Sequence, residues 1–309
     1  MRAIDASRRW YEQFVAPRLE REFGDDVSRI AVGRAGRGSE CFGCDDDLSR
    51  DHDFTIGCCL WITDADERRF GFRLERVYAG LRREFPPGPD DSASSRLGEA
   101  EHGVMTIADF CRRHLGFPGA PEHWRQWLHT PEHAFAEAVN GAVFRDDLGE
   151  FSAIRRAIAE GMPEDVRRKK LAARAIFMAQ SGQYNFLRCL RHGEPGAAAL
   201  ALAEFARNAV SMIFLLNRRF APYYKWQFRL MRELPMLSGS AAELEQLLTR
   251  ELPGAEKAQR IDRICAAVAA ELRSQGLSDC DGTYLEPHAF AVMSGIRDRE
   301  IRELHVMEG

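Results

Sequence analysis

Two carboxylates, Asp51 and Asp53, stand one residue apart in the stretch GRGSECFGCDDDLSRDHDFTIGCCL, from Gly36 to Leu60. If Asp51 to Ile62 is a strand, alternate side chains share a face, so both aspartates point one way and His52 the other. Neighbouring carboxylates repel unless a cation neutralises them, and such a pair with open positions suits Mg2+ shared with substrate phosphates. Gly38 and Ser39 suit the phosphate itself: a glycine turn lets backbone N–H groups come close, and the serine hydroxyl adds a donor. The plainer alternative is a solvated acidic loop. A calcium loop also fits the alternation of Asp45, Asp47, Ser49, Asp51 and Asp53. It fails where Arg50 replaces the required glycine and Ile56 the bidentate glutamate.

These residues need a sheet to carry them. The alternation VSRIAV predicts a strand over Val27 to Val32 that delivers the chain into the glycine turn, after an amphipathic helix from Ile4 to Phe23. Thr63, with Asp66 three residues on, predicts a capped helix to about Phe85. A turn-rich loop from Pro86 to Gly98, long enough to cover a ligand, separates it from a strand at Gly103 to Ile107 and a helix at Ala108 to Leu115. A third carboxylate belongs near that strand, and Glu101 is the candidate beside the reading of an ordinary surface glutamate. Pro121 to Asn140 reads as helix, and Ala142 to Phe144 as a short edge strand. Asp146 and Asp147 are either site neighbours or a helix-capping turn before Phe151. From Glu150 onward apolar residues recur at spacings of three and four, which predicts a helical bundle. The expected organisation is α+β: residues 1–149 form a mixed sheet with flanking helices, and residues 150–309 form a helical domain.

The whole chain has 309 residues and a net charge of -4, so no global basic footprint for nucleic acid or an anionic membrane exists. Eight cysteines scattered through the chain argue for free thiols in a reducing cytoplasm. Cys41 and Cys44 make a C-x-x-C without a second pair at zinc spacing. No uninterrupted apolar run approaches membrane-spanning length; the longest, Ala209 to Leu216, is far too short.

The second informative stretch is IFLLNRRFAPYYKWQFR, from Ile213 to Arg229. Pro222 breaks an apolar helix, and Tyr223, Tyr224, Lys225 and Trp226 follow. Only Lys169, Lys170, Lys225 and Lys257 are lysines in this chain. Lys225 can supply a point charge to a triphosphate, with the aromatics shaping a base pocket; it can equally be a snorkelling lysine beside core rings. Gln180, Gln183, Tyr184 and Asn185 interrupt the bundle's apolar pattern, as a polar wall or as a satisfied polar layer.

Gly-Ser followed by Asp-x-Asp resembles the nucleotidyltransferase signature. GSECFGCDDDLSRDHDF together with RRFAPYYKW resembles the nucleotidyltransferase-like family DUF4037, over about Arg29 to Pro235. The resemblance implies a nucleotidyltransferase domain followed by a helical domain. It implies Gly38 and Ser39 as the phosphate-binding turn and Asp51 and Asp53 as ligands of two Mg2+ ions, with Tyr224 and Lys225 inferred near the nucleotide. The expected reaction moves an NMP group from an NTP to an acceptor hydroxyl of unknown identity. The rivals are a nucleotide-binding regulatory or interaction protein without turnover, and a transferase acting on tRNA. The last predicts a local basic surface including Arg34, Arg37 and Arg50.

Overall fold

The structure is a computed structural model that describes residues 2–45, 56–86 and 102–309. Asp51, Asp53 and Glu101 lie outside the described residues, as do Arg50, His52 and nearly all of the loop from Pro86 to Gly98. The chain is α+β and divides into two compact units, one of Met1–Glu122 with His133–Gly161 and one of His123–Glu132 with Met162–Gly309.

Among the described residues of the first unit, four short strands form a mixed sheet in the order β3-β2-β1-β4. β1 (Ala31–Arg34) pairs antiparallel with β2 (Cys59–Ile62) and β4 (Ala142–Arg145), while β2 runs parallel to β3 (Gly103–Thr106). Side chains alternate across β2. Leu60 and Ile62, with Val32 of β1, face a core built on Trp10, Val15 and Leu19 of the N-terminal helices and on Leu74, Tyr78 and Leu81. Trp61 faces the other way, stacked 3.9 Å from Phe151 with Phe110 edge-on at 5.6 Å. Gly33 is required at the centre, because a Cβ there would stand 2.4 Å from the Ala142 carbonyl oxygen of β4.

Several expectations hold. β4 is an edge strand, and Thr63 caps its helix by accepting from the Asp66 N–H at 3.1 Å. Others shift. The strand expected over Val27 to Val32 begins at Ala31, because Gly24 turns left-handed at φ 53° and Gly24–Arg29 curl into a 3-10 segment closed by Ser28 Oγ on the Asp25 carbonyl. The strand expected from Asp51 begins, among the described residues, at Cys59. Residues 56–58 are not strand, and side chains take part of the backbone hydrogen bonding of Gly57 and Cys58, whose carbonyl also accepts from the Gly103 N–H at 3.2 Å. The Gly57 N–H donates to Ser7 Oγ, and Tyr78 Oη both accepts from the Cys58 N–H (3.0 Å) and donates to its carbonyl (2.7 Å). The helix expected over Pro121 to Asn140 is two, Trp124–His129 and Glu132–Val139, parted at Pro131, which disfavours helical backbone at Thr130.

The second unit is a helical bundle built around Glu164–Met178, Pro195–Leu216 and Gly254–Ser274. Gly182 lets Phe205 approach: a Cβ would sit 2.3 Å from that ring. By length and composition Pro195–Leu216 is apolar enough to cross a membrane, but 61% of its most apolar window is buried inside the protein, as in a core helix. Residues 150–161 pack with the first unit, where Glu150–Glu160 buries Phe151 and Ile158.

Candidate functional site

Beyond β1 the chain passes through Gly36, at φ 130°, and Gly38 into a 3-10 turn over Ser39–Phe42 that ends at left-handed Gly43. The turn is held from several sides. Asn140 grips the Gly36 residue reciprocally, its Oδ1 accepting from the N–H at 2.9 Å and its Nδ2 donating to the carbonyl at 2.6 Å. The Gly141 N–H donates to the Cys41 carbonyl at 2.8 Å. Gly141 has φ 71°, and a Cβ there would collide with the Arg34 carbonyl oxygen at 2.0 Å, so only glycine fits. Asn140 is fixed in turn by Arg155, whose guanidinium donates to the carbonyls of Ala138, Val139 and Asn140. Glu137 adds contacts to Arg37 (3.5 Å) and His114 (3.3 Å).

Under the turn lies a buried ion pair. Arg34 is 2% exposed and Glu40 3%, and Arg34 donates through Nε (3.1 Å) and Nη2 to Glu40 Oε1. Burial alone would lower the Arg34 pKa, but the Glu40 carboxylate outweighs it and holds the guanidinium above its ordinary value. The Glu40 carboxylate fills the space a Cβ at Gly38 would take. Among the described residues, the N–H groups of Ser39 and Glu40 donate to no acceptor, as expected at the opening of a helical turn.

In the second unit, the segment from Asn217 to Tyr223 is pinned at four points. Asn217 exchanges two hydrogen bonds of 3.0 Å with the Met236 backbone. Arg218, left-handed at φ 53° without being glycine, pairs with Glu164 at 3.1 Å. Phe220 stacks on Trp127 at 6.5 Å, and the Ala221 N–H donates to Glu132 at 3.4 Å. A strained residue is kept only where the surroundings over-determine it. What the segment presents is Tyr223 and Tyr224, 42% and 64% exposed with rings 4.3 Å apart, and an exposed Lys225 in the first turn of Tyr224–Met231.

Gly38 with Ser39, and Tyr224 with Lys225, are each brought together within their own unit. Other candidates have structural tasks. Asp146 accepts from the Ser152 N–H at 2.7 Å and Asp147 pairs with Arg145, so they form the capping turn. Gln183 accepts from the Leu285 N–H and donates to the Thr283 carbonyl, a satisfied tie to the next helix. Arg34 is buried rather than part of a basic surface. Among the described residues no group of three or more His, Cys, Asp or Glu could hold a metal. Sequence pattern does not mark Asn140, Gly141 and Glu132 as site-forming; the Asn-Gly dipeptide is the turn signal that points to the first two.

The fold and these two presented segments define a two-unit α+β protein with a helical second unit. Residues 127–227 match the model of a domain of unknown function, DUF4037, so the family read from the motifs is supported over a stretch that contains Tyr224 and Lys225. No curated protein matches the chain. It is similar to a solved nucleotidyltransferase-like protein from Exiguobacterium sibiricum 255-15 at 12% identity, over 92% of this chain and 81% of that one, with a TM-score of 0.37. At that score the likeness locates no site.

Proposed function

We propose that the chain is a nucleotidyltransferase that moves an NMP group from an NTP to an acceptor hydroxyl. The observation that supports this reading best is the rigidly held turn with the open N–H groups of Ser39 and Glu40, next in sequence to Asp51 and Asp53. In this reading that turn binds the β- or γ-phosphate; in the second unit, taken by itself, Lys225 offers a point charge to a phosphate and Tyr224 a ring face to a base. Asp51 and Asp53 would hold Mg2+, whose positive charge would lower the acceptor hydroxyl pKa and offset charge on the transferring group. The acceptor oxygen bonds to the α-phosphorus, the bond to the bridging oxygen breaks, and pyrophosphate leaves. The hydroxyl proton passes to Glu101 or to a base of the second unit. A reducing cytoplasm, where nucleoside triphosphates are available, is the setting this reading carries with it.

A nucleotide-binding regulatory or interaction protein without turnover is the second reading, and one observation favours it. The four described strands, AVGR, CLWI, GVMT and AVFR, contain no carboxylate. The tRNA reading loses one support, since Arg34 is buried and Arg37 contacts Glu137.

The test is thermal unfolding of the wild type and the Asp51→Asn, Asp53→Asn double variant with each NTP, with and without Mg2+. We expect a Mg2+-dependent stabilisation of about 2.7 kcal/mol at a hundredfold excess over Kd, absent in the double variant. No stabilisation by any NTP in a folded wild type sinks both readings. Stabilisation without pyrophosphate release across acceptors selects the second.

A further inference from the structure

The stretch from Asn217 to Arg232, NRRFAPYYKWQFRLMR, carries Arg218, Arg219, Lys225, Arg229 and Arg232 and no carboxylate, in a chain whose net charge is -4. All five basic residues are exposed. Two are tied to acids, Arg218 to Glu164 at 3.1 Å and Arg232 to Glu245 at 2.7 Å. Arg219 and Lys225 meet no carboxylate at ion-pairing distance among the described residues. The positive charge of this segment is thus only partly compensated, and it acts on anions within about 10 Å at 0.1 M salt.

Beside these cations stand two rings that the fold does not bury. Tyr223 is 42% and Tyr224 64% exposed, with centroids 4.3 Å apart and planes inclined at 45°. The chain leading into them is fixed. Ala221 and Pro222 are buried, the Ala221 N–H is held by Glu132, Phe220 is stacked on Trp127, and Gln227 Nε2 donates to the Pro222 carbonyl at 3.0 Å. Rings presented in this way lose little freedom when a ligand settles on them. The helix Tyr224–Met231 then sets Lys225, Arg229 and, at its C-cap, Arg232 at positions i, i+4 and i+7, along one face about 10 Å long.

We propose that this segment of the second unit binds a single strand of nucleic acid, with the tyrosine pair as a base-stacking platform and Arg219 and Lys225 as phosphate contacts. Aromatic faces reach only bases freed from a duplex, and every such base offers a π-face whatever its sequence. A duplex would use the cations alone. An anionic membrane takes Trp, Phe and Leu into its interface, whereas Phe228, Leu230 and Met231 of this helix pack against the bundle core. One NTP needs one ring face and one charge; the second ring and the further cations extend the surface to a strand. The inference goes beyond nucleotidyl transfer, and it uses none of Arg34, Arg37 and Arg50.

The experiment is fluorescence anisotropy of the full chain with a labelled oligouridylate RNA of about 12 nucleotides, over a series of salt concentrations. The wild type binds, and the logarithmic salt slope falls in magnitude by about 1.4 in the Arg219→Gln, Lys225→Gln double variant, at about 0.7 for each phosphate contact to a single strand. Tyr224→Ala weakens binding at least about fivefold and leaves the slope unchanged, while Tyr224→Phe, which keeps the ring, binds as the wild type does. All three positions are exposed, so these substitutions leave the fold intact. No binding by the wild type overturns the proposal, and so does equal binding by wild type and double variant. A duplex RNA bound as tightly as the strand, or phosphatidylserine vesicles bound in its place, overturns it too. RNA binding by a chain that no NTP stabilises upholds this surface and sinks only the transfer reading.

Discussion

In the first unit buried charge meets opposite charge: Arg34 meets Glu40 under the glycine turn, and Asp66, beside the Thr63 cap, meets the more exposed Arg29 and Arg69. The helical unit does otherwise with Lys169 of Glu164–Met178, closing the backbone carbonyls of His305, Val306 and Glu308 around its ammonium. The difference separates two uses of a buried cation. In the first unit the partner belongs to the fold, so the charge fixes a shape. In the second the partners of Lys169 are neutral backbone carbonyls of residues 305–308, so the charge ties that segment to the helix.

The comparison breaks most sharply at Arg34. Arg34→Met leaves the Glu40 carboxylate buried and alone, and we expect a loss of about 3–5 kcal/mol in urea unfolding. Replacing Glu40 by Met as well recovers most of it. A loss under about 1 kcal/mol for the single variant would show that the pair does not organise the turn.

Next comes Gly141→Ala, which adds a Cβ to a left-handed residue lying against the Arg34 carbonyl. The backbone conformation alone costs about 1–2 kcal/mol, and the close approach adds to it. Gly80→Ala, in the helix Phe72–Glu84 with nothing near its missing Cβ, is the control and should be neutral or stabilising. Equal effects at the two positions would dissolve the claim that Gly141 is chosen for space and φ.

The smallest effect concerns His288 in the second unit, buried with Ser278 Oγ 2.9 Å from Nδ1 and the Gly282 carbonyl 3.3 Å from Nε2. Burial pushes its pKa down, partly opposed by the Gly282 carbonyl. The unfolded chain therefore takes up the proton first. The contribution of neutral His288 is fully present above an unfolded pKa of about 6.5 and is lost as pH falls from there towards the folded value. The stability advantage of wild type over His288→Gln should narrow between about pH 7 and 5 in urea midpoints. A gap that stays constant means that His288 does not titrate differently in the two states.

What could be read from the sequence was what is local. Helical spacing located the bundle, Thr63 and Asp66 announced a cap, and Ala142 to Phe144 gave the edge strand, because each signal lies within a few residues of its effect. The glycine turn was legible as a turn, but not what holds it. Asn140, Gly141 and Glu137 act on backbone and side chains brought close only by the sheet, and Arg34 looked like surface charge until Glu40 folded back upon it. Residues 56–58, expected within the strand, lie outside it for a reason of the same kind, since Ser7 and Tyr78, each at least 20 residues away in sequence, bond to the backbone of Gly57 and Cys58.

The reciprocal grip of Asn140 on Gly36 spans 104 positions of chain. Closing so long a loop carries an entropic cost that local turns avoid, and non-local contacts of this kind form late and slowly. A nascent chain that has emerged only through β3 carries every residue of the glycine turn but not the residues that shape it. The turn's geometry matures when β4 docks, so its conformational history belongs to the end of folding, although its sequence lies near the beginning of the chain.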